Sequence, residues 1–155
     1  MIKLYSPKLD DLWFRQMFMA DDETMSYNHN WGGTISFPEE NWADWHDYWI
    51  ANPQGKRFYR YLQDEMNDEF VGEIAYHYDC ERQIYIADVI VHAKHRGKGF
   101  GKQGLLLLCD AAKENGVEIL YDDIAIDNPA IMLFLKVGFC EEYRTDEIIM
   151  LRKAL

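Results

Sequence analysis

The sequence has 155 residues, of which 48% are hydrophobic and 15% aromatic, and its formal net charge is −11 at pH 7. A chain of this length and composition is expected to fold as one globular domain over residues 1–155, which excludes a disordered or fibrous protein. The excess of negative charge argues against nucleic acid and anionic membrane surfaces as partners, because both would be repelled.

The cysteines, the N-terminus and the histidines give three further expectations. Cys80, Cys109 and Cys140 are odd in number and form no C-x-x-C pair, so we expect reduced thiols in a cytoplasmic protein. The first residues lack the apolar core of a signal peptide, and no window is long and apolar enough to span a membrane. The histidines show no H-x-x-x-H or H-E-x-x-H spacing, so we expect no metal site.

The first third of the chain predicts a short strand, two helices and a long connection between them. Residues 2–5 alternate as a strand, and residues from about 8 to 19 form an amphipathic helix with apolar side chains at helical spacing. These apolar residues are Leu9, Leu12, Trp13, Met17 and Phe18. Residues 21–38 are rich in aromatic side chains without a period, which indicates a long loop or a broken helix. A second helix, marked by tryptophans at spacings of three and four, ends near residue 52.

The rest of the chain predicts an antiparallel meander followed by alternating strands and helices. Three strands are expected at 57–62, 70–78 and 84–92, separated by polar turns. The third strand leads into a basic, glycine-rich turn at residues 96–102, here called the glycine loop. A helix follows at about 102–114 and stops at Asn115-Gly116. The remaining predicted elements are a strand at 117–126, a helix at 130–137 and a hairpin formed by 139–143 and 147–152.

The glycine loop has the chemistry of an anion site. Gly97, Gly99 and Gly101 lack a Cβ atom, so the backbone can adopt left-handed angles and direct successive N–H groups at one ligand. The helix that follows adds the positive end of its dipole at the same place. A phosphate-bearing ligand is therefore the first hypothesis.

Two other glycine-rich motifs fit this segment less well. Gly99-x-Gly101-x-x-Gly104 matches the spacing of a dinucleotide-binding fingerprint, and it follows a strand and opens a helix. The upstream meander and the lack of an N-terminal βαβ unit argue against that reading. A P-loop is excluded because the terminal Lys-Ser/Thr is missing.

Two segments resemble the signatures of the GNAT N-acetyltransferase superfamily. Residues 96–101, with the sequence RGKGFG, resemble its R/Q-x-x-G-x-G/A pyrophosphate loop. Residues 127–139, which start at Asp127-Asn128 and end in Gly138-Phe139, resemble its second signature. The resemblance implies an α/β fold of the α+β type. It would have a mixed, mostly antiparallel central sheet of about six or seven strands, flanked by about four helices.

The resemblance also implies acetyl-CoA as a co-substrate. In such a fold the pantetheine would pair with the strand at 89–91, and the diphosphate would take N–H groups from the glycine loop, with Arg96 adding charge. The implied cofactor contacts are Val89, Ile90, Val91, Arg96, Gly97, Lys98, Gly99, Phe100, Gly101, Lys102, Asn128 and Phe134. Many family members have a tyrosine at the position of Phe134, thought to protonate the departing thiolate. Phenylalanine cannot do this, so either Tyr85, Tyr121 or Cys140 donates the proton or the thiolate leaves unassisted.

The candidate catalytic residues are Asp88 and Glu73. Direct attack by an amine needs a proton acceptor, and Asp88 precedes the segment expected to pair with pantetheine. Glu73 lies on the preceding strand, and a pair of carboxylates across the ladder would raise one another's pKa. The alternative is that each forms an ion pair with Arg57, Arg60 or Arg82.

The acceptor pocket of this family is built by the first two helices and their connection. Tyr27, His29 and Trp31 lack helical periodicity and are the candidate substrate-binding residues, whereas Trp42, Trp45 and Trp49 are expected in the core. Together these features predict an N-acetyltransferase that acts on the primary amine of a small, cationic acceptor. The alternatives are a non-catalytic acyl-CoA-binding or sensing module, and a protein N-terminal or lysine acetyltransferase. The edge strands after Gly138 permit a homodimer.

Overall fold

A seven-stranded sheet forms the centre of the computed structural model, which describes residues 1–155. Its strands are β1 (Ile2–Tyr5), β2 (Arg57–Asp64), β3 (Glu69–Asp79), β4 (Ile84–Val91), β5 (Ile119–Ala125), β6 (Cys140–Arg144) and β7 (Ile148–Ala154). They are ordered β1-β2-β3-β4-β5-β7-β6. Every neighbouring pair is antiparallel except β4 and β5. The mixed, mostly antiparallel sheet expected from the sequence is therefore confirmed.

Helices cover both faces of the sheet. They are α1 (Trp13–Met19), α2 (Trp42–His46), α3 (Phe100–Glu114) and α4 (Ala130–Val137), and 3₁₀ segments lie between several of them. The larger apolar core includes Leu105 of α3 and Phe134 of α4 packed with sheet residues. The smaller core includes Phe14 and Phe18 of α1 packed with Tyr61 and Ile90. None of the helices is a candidate for crossing a membrane, because none combines the required length and hydropathy.

Helix α3 packs tightly against the sheet. A Cβ atom on Gly104 would lie 2.7 Å from Cδ1 of Leu62, so glycine lets α3 approach β2 without displacing the Leu62 side chain. The helix ends at Asn115 and is followed by Gly116 with a φ of +86°, as the Asn-Gly stop signal predicts. Cys109 on this helix is a free thiol and is buried.

The first predicted helix is divided into two pieces, which changes its buried face. A 3₁₀ turn at Leu9–Asp11 precedes α1, and the Asp11 carboxylate accepts a hydrogen bond from the N–H of Lys8. The helical period therefore restarts near Leu12, and Leu12, Phe14 and Phe18 are buried. Leu9, Trp13 and Met17, which the sequence pattern assigned to the apolar stripe, are instead exposed.

The second predicted helix changes its geometry along its length. Five residues of α-helix are followed by a π-helical turn at Asp47–Ala51. The Arg57 guanidinium donates hydrogen bonds to the carbonyls of Tyr48 and Asn52, which satisfies backbone acceptors at this end. The predicted end near Asn52 is confirmed.

The connection between the first two helices is more regular than the sequence indicated. Residues Thr24–Trp31 form a 3₁₀ helix, here called the wall segment. It ends at Gly32 with a left-handed φ of +106°, and the Asn28 side-chain amide donates to the Gly33 carbonyl at 2.8 Å. At the far edge of the sheet all five residues of β6 are exposed.

Candidate active site

The site begins where β4 and β5 separate. These parallel strands share only two ladder pairs, Tyr85 with Leu120 and Ile86 with Tyr121. On the other side of β4, the N–H of His92 donates to the Val71 carbonyl at 2.8 Å. Backbone hydrogen bonds alternate along an antiparallel ladder, so the backbone groups of residues 88, 90 and 92 point toward β3. Those of Val89 and Val91 therefore point into the gap beside β5.

A cavity of about 700 Å³ fills this gap and extends beyond it. Its walls come from β4, β5, the glycine loop, the start of α4 and the wall segment. The volume lies within the range of small-molecule sites. The sequence-predicted residues on its surface are Tyr27, His29, Trp31, Asp88, Val89, Ile90, Val91, Arg96, Gly97, Gly99, Phe100, Gly101, Asn128 and Phe134. The structure thus brings most of the candidate cofactor, acceptor and catalytic residues to one cavity, whereas Glu73, Lys98 and Lys102 do not line it.

The glycine loop has the backbone geometry of an anion cradle. Gly97 and Gly99 have φ angles of +79° and +83°, and Gly99 is the N-cap of α3. None of the N–H groups from residue 97 to residue 102 donates to a backbone carbonyl. Because these donors lie at the N-terminus of a 15-residue helix, they can bind a phosphate group together with the helix dipole.

The cationic side chains of the loop, which were expected to contact the cofactor, lie elsewhere or are exposed. The Arg96 guanidinium donates hydrogen bonds to the carbonyls of Glu23 and Thr24, at 3.3 and 2.8 Å. Lys98 and Lys102 are exposed and are not among the residues that line the cavity. The cradle is therefore formed mainly by backbone N–H groups.

Glu73 and Asp88 lie on the same face of the sheet but are not directly opposite each other. Glu73 is paired with Ile90 and Asp88 with Ala75, so the two carboxylates are diagonal neighbours. Asp88 lines the cavity, whereas Glu73 is 2% exposed and is not among the residues that line it. Burial raises the pKa of Asp88 well above its usual value, and the charge and hydrogen bonding of Glu73 raise it further.

The cation beside Glu73 is Arg15 of α1, which the sequence analysis did not identify. Arg15 Nε lies 3.8 Å from Glu73 Oε2, and the guanidinium packs over the rings of Phe37 and Trp45 at 4.4 and 4.7 Å. The expected alternative partners are engaged elsewhere. Arg57 contacts Tyr48 and Asn52, Arg60 contacts Phe58 and Tyr59, and Arg82 pairs with Asp79 and Asp123.

Asp122 is a third carboxylate of the site that the sequence analysis passed over. It lines the cavity, and its pKa is raised well above its usual value by burial and then by the charge of Asp88. The sequence contained a signal for this residue, because a carboxylate in the middle of an apolar strand is unusual unless it has a function.

Tyr27 is the one tyrosine among the residues that line the cavity. Burial raises its pKa, and the charges of Asp88 and Glu73 raise it further, so the side chain is a neutral phenol. The three thiolate-protonating candidates, Tyr85, Tyr121 and Cys140, do not line the cavity. The Tyr85 hydroxyl instead lies 3.4 Å from the carbonyl of Gly55.

His29 and Trp31 lie at the open end of the cavity. His29 Nε2 is 3.5 Å from Asp127 Oδ2, and both side chains are more than half exposed, at 55% and 63%. Trp31 is 55% exposed and also lines the cavity. By contrast, the three residues expected in the core, Trp42, Trp45 and Trp49, lie outside the cavity lining and are partly buried against the smaller core.

Asn128 and Phe134 are held by local contacts. The Asn128 side chain accepts a hydrogen bond from the N–H of Ala130 at 2.9 Å, so its oxygen caps the start of α4. Phe134 is 2% exposed and packs edge-on against Phe139, with ring centroids 4.9 Å apart. Its ring closes one side of the cavity without offering a hydroxyl.

Comparisons with known proteins agree with this geometry. Residues 14–139 match the model of the acetyltransferase (GNAT) family. A curated relative is the SPbeta prophage-derived uncharacterized N-acetyltransferase YokL of Bacillus subtilis, which is 28% identical over 116 residues. The match covers 68% of this chain, and the chain spans about three fifths, 62%, of that relative's length.

Two solved structures share the fold over nearly the whole chain. One is yncA of Salmonella typhimurium, solved with its cofactor acetyl-CoA. It has a TM-score of 0.75 and 17% identity, covering 100% of this chain and 94% of that one. The other is spermidine N-acetyltransferase of Vibrio cholerae in complex with CoA and spermine. It has a TM-score of 0.76 and 17% identity, covering 99% of this chain and 95% of that one.

Proposed function

Because this chain belongs to the GNAT family of acetyltransferases, we propose that it is an acetyl-CoA-dependent N-acetyltransferase. It transfers the acetyl group to the primary amine of a small, cationic acceptor by direct attack in a ternary complex. The cofactor part of this proposal is supported by the yncA and Vibrio cholerae structures, which were solved with acetyl-CoA and with CoA.

One observation carries the proposal: a single cavity joins three chemically distinct surfaces. The glycine loop offers unpaired N–H donors for a diphosphate, and the β4 edge at Val89 and Val91 offers backbone groups for the pantetheine amides. Asp88 and Tyr27 lie on the same cavity, where the thioester of a cofactor held in this way would meet the amine. A ligand that has an anionic group at one end and a chain of amides next to it is complementary to these neighbouring surfaces.

Asp88 is proposed as the base. The neutral amine attacks the thioester carbonyl carbon, the C–N bond forms, and the C–S bond of the tetrahedral intermediate breaks. The extra proton on nitrogen passes to Asp88, whose raised pKa makes it a better proton acceptor than an ordinary carboxylate. Glu73 supports Asp88 by helping to raise its pKa, and Asp122 is a further carboxylate on the cavity surface.

Tyr27 is proposed to hydrogen-bond the negative charge that develops in the reaction. Its raised pKa makes it a weak acid, so it stabilises an oxyanion or thiolate by donating a hydrogen bond and keeps its own proton. Phe134 provides no donor at the thiolate. The sulfur therefore leaves as a thiolate, which its fairly low basicity allows, and takes a proton afterwards.

The proposed acceptor is cationic because the cavity surface is acidic. Asp88, Asp122, Asp123 and Asp127 line it, and the exposed ring of Trp31 can contact an alkylammonium group. A polyamine is one such acceptor, and the Vibrio cholerae enzyme with the same fold is a spermidine N-acetyltransferase. The proposal names the class of amine rather than one compound.

A non-catalytic acyl-CoA-binding module is the second candidate, and the phenylalanine at position 134 favours it. A steady-state assay of CoA release over a panel of amines separates the two candidates. The proposal expects at least one di- or polyamine to accelerate CoA release more than a neutral amine of similar size. If acetyl-CoA binds and no amine accelerates release, the protein is a binding module. Faster release with lysine-containing or N-terminal peptides, and not with small amines, would instead favour a protein acetyltransferase.

A further inference from the structure

We propose that Arg96 is a positioning residue for the acceptor side of the cavity rather than a contact of the cofactor phosphates. The glycine-loop motif begins at Arg96, which made it a candidate phosphate ligand. Its side chain is instead hydrogen-bonded to the start of the wall segment, which carries Tyr27, His29 and Trp31. Arg96 would therefore contact the backbone of Glu23 and Thr24, and its loss would change the KM for the amine rather than the affinity for acetyl-CoA.

The Arg96 guanidinium donates hydrogen bonds to two neighbouring backbone carbonyls. Nη2 donates to the Thr24 carbonyl at 2.8 Å, and Nη1 donates to the Glu23 carbonyl at 3.3 Å. Both acceptors are backbone oxygens at the N-terminus of the wall segment. A planar guanidinium can hold two neighbouring carbonyls in this way, whereas a lysine ammonium cannot reproduce the same geometry.

The Thr24 side chain forms further hydrogen bonds at the start of the wall segment. This side chain is fully buried, and its hydroxyl accepts a hydrogen bond from the N–H of Ala93 at 2.9 Å. The hydroxyl also donates to Asp21 Oδ2, which accepts a further bond from the Thr24 N–H at 3.1 Å. The β4–α3 connection thus holds the start of the wall segment through both a backbone donor and the Arg96 side chain.

The other end of the wall segment has weaker attachments. Asn28 bonds to Gly33 within the same loop, and the His29–Asp127 contact is 3.5 Å long between exposed side chains. Exposed ion pairs of this kind contribute little stability. Met25 and Tyr27 pack on the smaller core, and the hydrogen bonds that join the wall segment to the β4–α3 connection are at its start, where Arg96 provides two of them.

The test compares Arg96→Met with Lys94→Met. Methionine keeps much of the side-chain volume of arginine but cannot donate, whereas Lys94 is an exposed cation of the same connection that lies outside the cavity lining. Hydrogen exchange of residues 24–31, calorimetric binding of acetyl-CoA, and the KM of the best amine are measured for both variants. We expect Arg96→Met to speed exchange in residues 24–31 about tenfold and to raise the amine KM about tenfold. Acetyl-CoA affinity should stay within about twofold.

Two further variants make the result specific. Thr24→Val removes the acceptor for Ala93 without changing any charge, and it should raise the amine KM and the exchange rate in the same direction. Arg96→Lys should recover only part of the effect, and Lys94→Met should match the wild type. Unchanged exchange in residues 24–31 of Arg96→Met overturns the inference, as does a tenfold loss of acetyl-CoA affinity with an unchanged amine KM.

The kinetic part of this inference rests on the proposed acetyl transfer, whereas the exchange and calorimetry do not. If no amine is acetylated by the wild-type protein, the proposed function fails while the exchange data still decide whether Arg96 anchors the wall segment.

Discussion

Glu73 and Asp88 are diagonal neighbours on one face of the β3–β4 ladder, and only Asp88 reaches the cavity. Burial disfavours the ionised form of Asp88, and the nearby charge of Glu73 disfavours it further, so the pKa of Asp88 is raised well above its usual value. This relationship makes Asp88 a proton acceptor with an elevated pKa. It also makes the ionised form of Asp88 costly to the folded state.

Replacing Asp88 by asparagine should lower kcat by about 10²- to 10³-fold, because the proton acceptor is lost while the shape is kept. The wild-type rate should rise with pH through the raised pKa of Asp88, and this limb should disappear in the variant. Steady-state pH profiles with saturating acetyl-CoA measure both effects. Asp110→Asn, an exposed position on α3, is the matched control. An unchanged pH profile would remove Asp88 as the base.

The same substitution should stabilise the folded protein at neutral pH. The pKa of Asp88 is raised in the folded state, so its ionisation costs nothing below the unfolded-state pKa and has its full cost above the folded-state pKa. Each pKa unit corresponds to about 1.4 kcal/mol, or roughly 3–5 °C in Tm for a chain of this size. The Tm difference between Asp88→Asn and wild type should therefore be larger at pH 8 than at pH 4.5. A difference that does not change with pH, or that grows toward acid, would contradict this reasoning.

Gly99→Ala should weaken acetyl-CoA binding about tenfold. Its φ of +83° is strained for an L-residue, and the substitution disturbs the N–H groups at the start of α3. Gly116→Ala is the matched control, because Gly116 has a φ of +86° at the opposite end of the same helix. Both variants should lose about 1 kcal/mol of unfolding free energy, and only Gly99→Ala should lose affinity. Equal affinities in calorimetric titrations would mean that the glycine loop does not hold the anion.

Tyr27→Phe should lower kcat about 10- to 100-fold with little change in acetyl-CoA affinity, because one hydrogen-bond donor to the developing charge is removed. Tyr85→Phe controls for the loss of a phenol elsewhere, since Tyr85 lies outside the cavity lining. Adding a phenol by Phe134→Tyr should recover part of the lost rate if Tyr27 acts on the thiolate. If Tyr27→Phe keeps the wild-type kcat, Tyr27 lines the cavity without taking part in the reaction.

The elements that the sequence predicted well are those whose signals are local. Helix α4 lies at Ala130–Val137, as its apolar spacing and the following glycine predict. The three meander strands and α3 also lie within two residues of their predicted bounds, because alternation and stop signals act over short distances. The left-handed backbone at Gly97 and Gly99 followed for the same reason, because glycine adopts positive φ angles without a steric penalty.

The contacts that the sequence did not reveal join residues far apart in the chain. Arg15 meets Glu73 from another element, and Arg96 meets Thr24 across 72 positions. No periodicity marks such pairs, because they depend on how α1 and the wall segment pack over the sheet. The diagonal offset of Glu73 and Asp88 depends on the register of the β3–β4 pairing, and shifting that register by one residue would move either side chain to the other face.

The short pairing between β4 and β5 has a mechanical consequence. Because β4 and β5 share only two ladder pairs, the sheet has two halves, β1–β4 and β5–β7–β6, that are hydrogen-bonded to each other at one end only. A ligand whose amides form hydrogen bonds with the backbone of Val89 and Val91 would occupy the gap between β4 and β5 as an added strand does. Its contacts would link the two halves of the sheet. At about 100 times its Kd such a ligand adds about 2.7 kcal/mol to the folded state. The stability of the folded chain would then rise with the concentration of its proposed co-substrate.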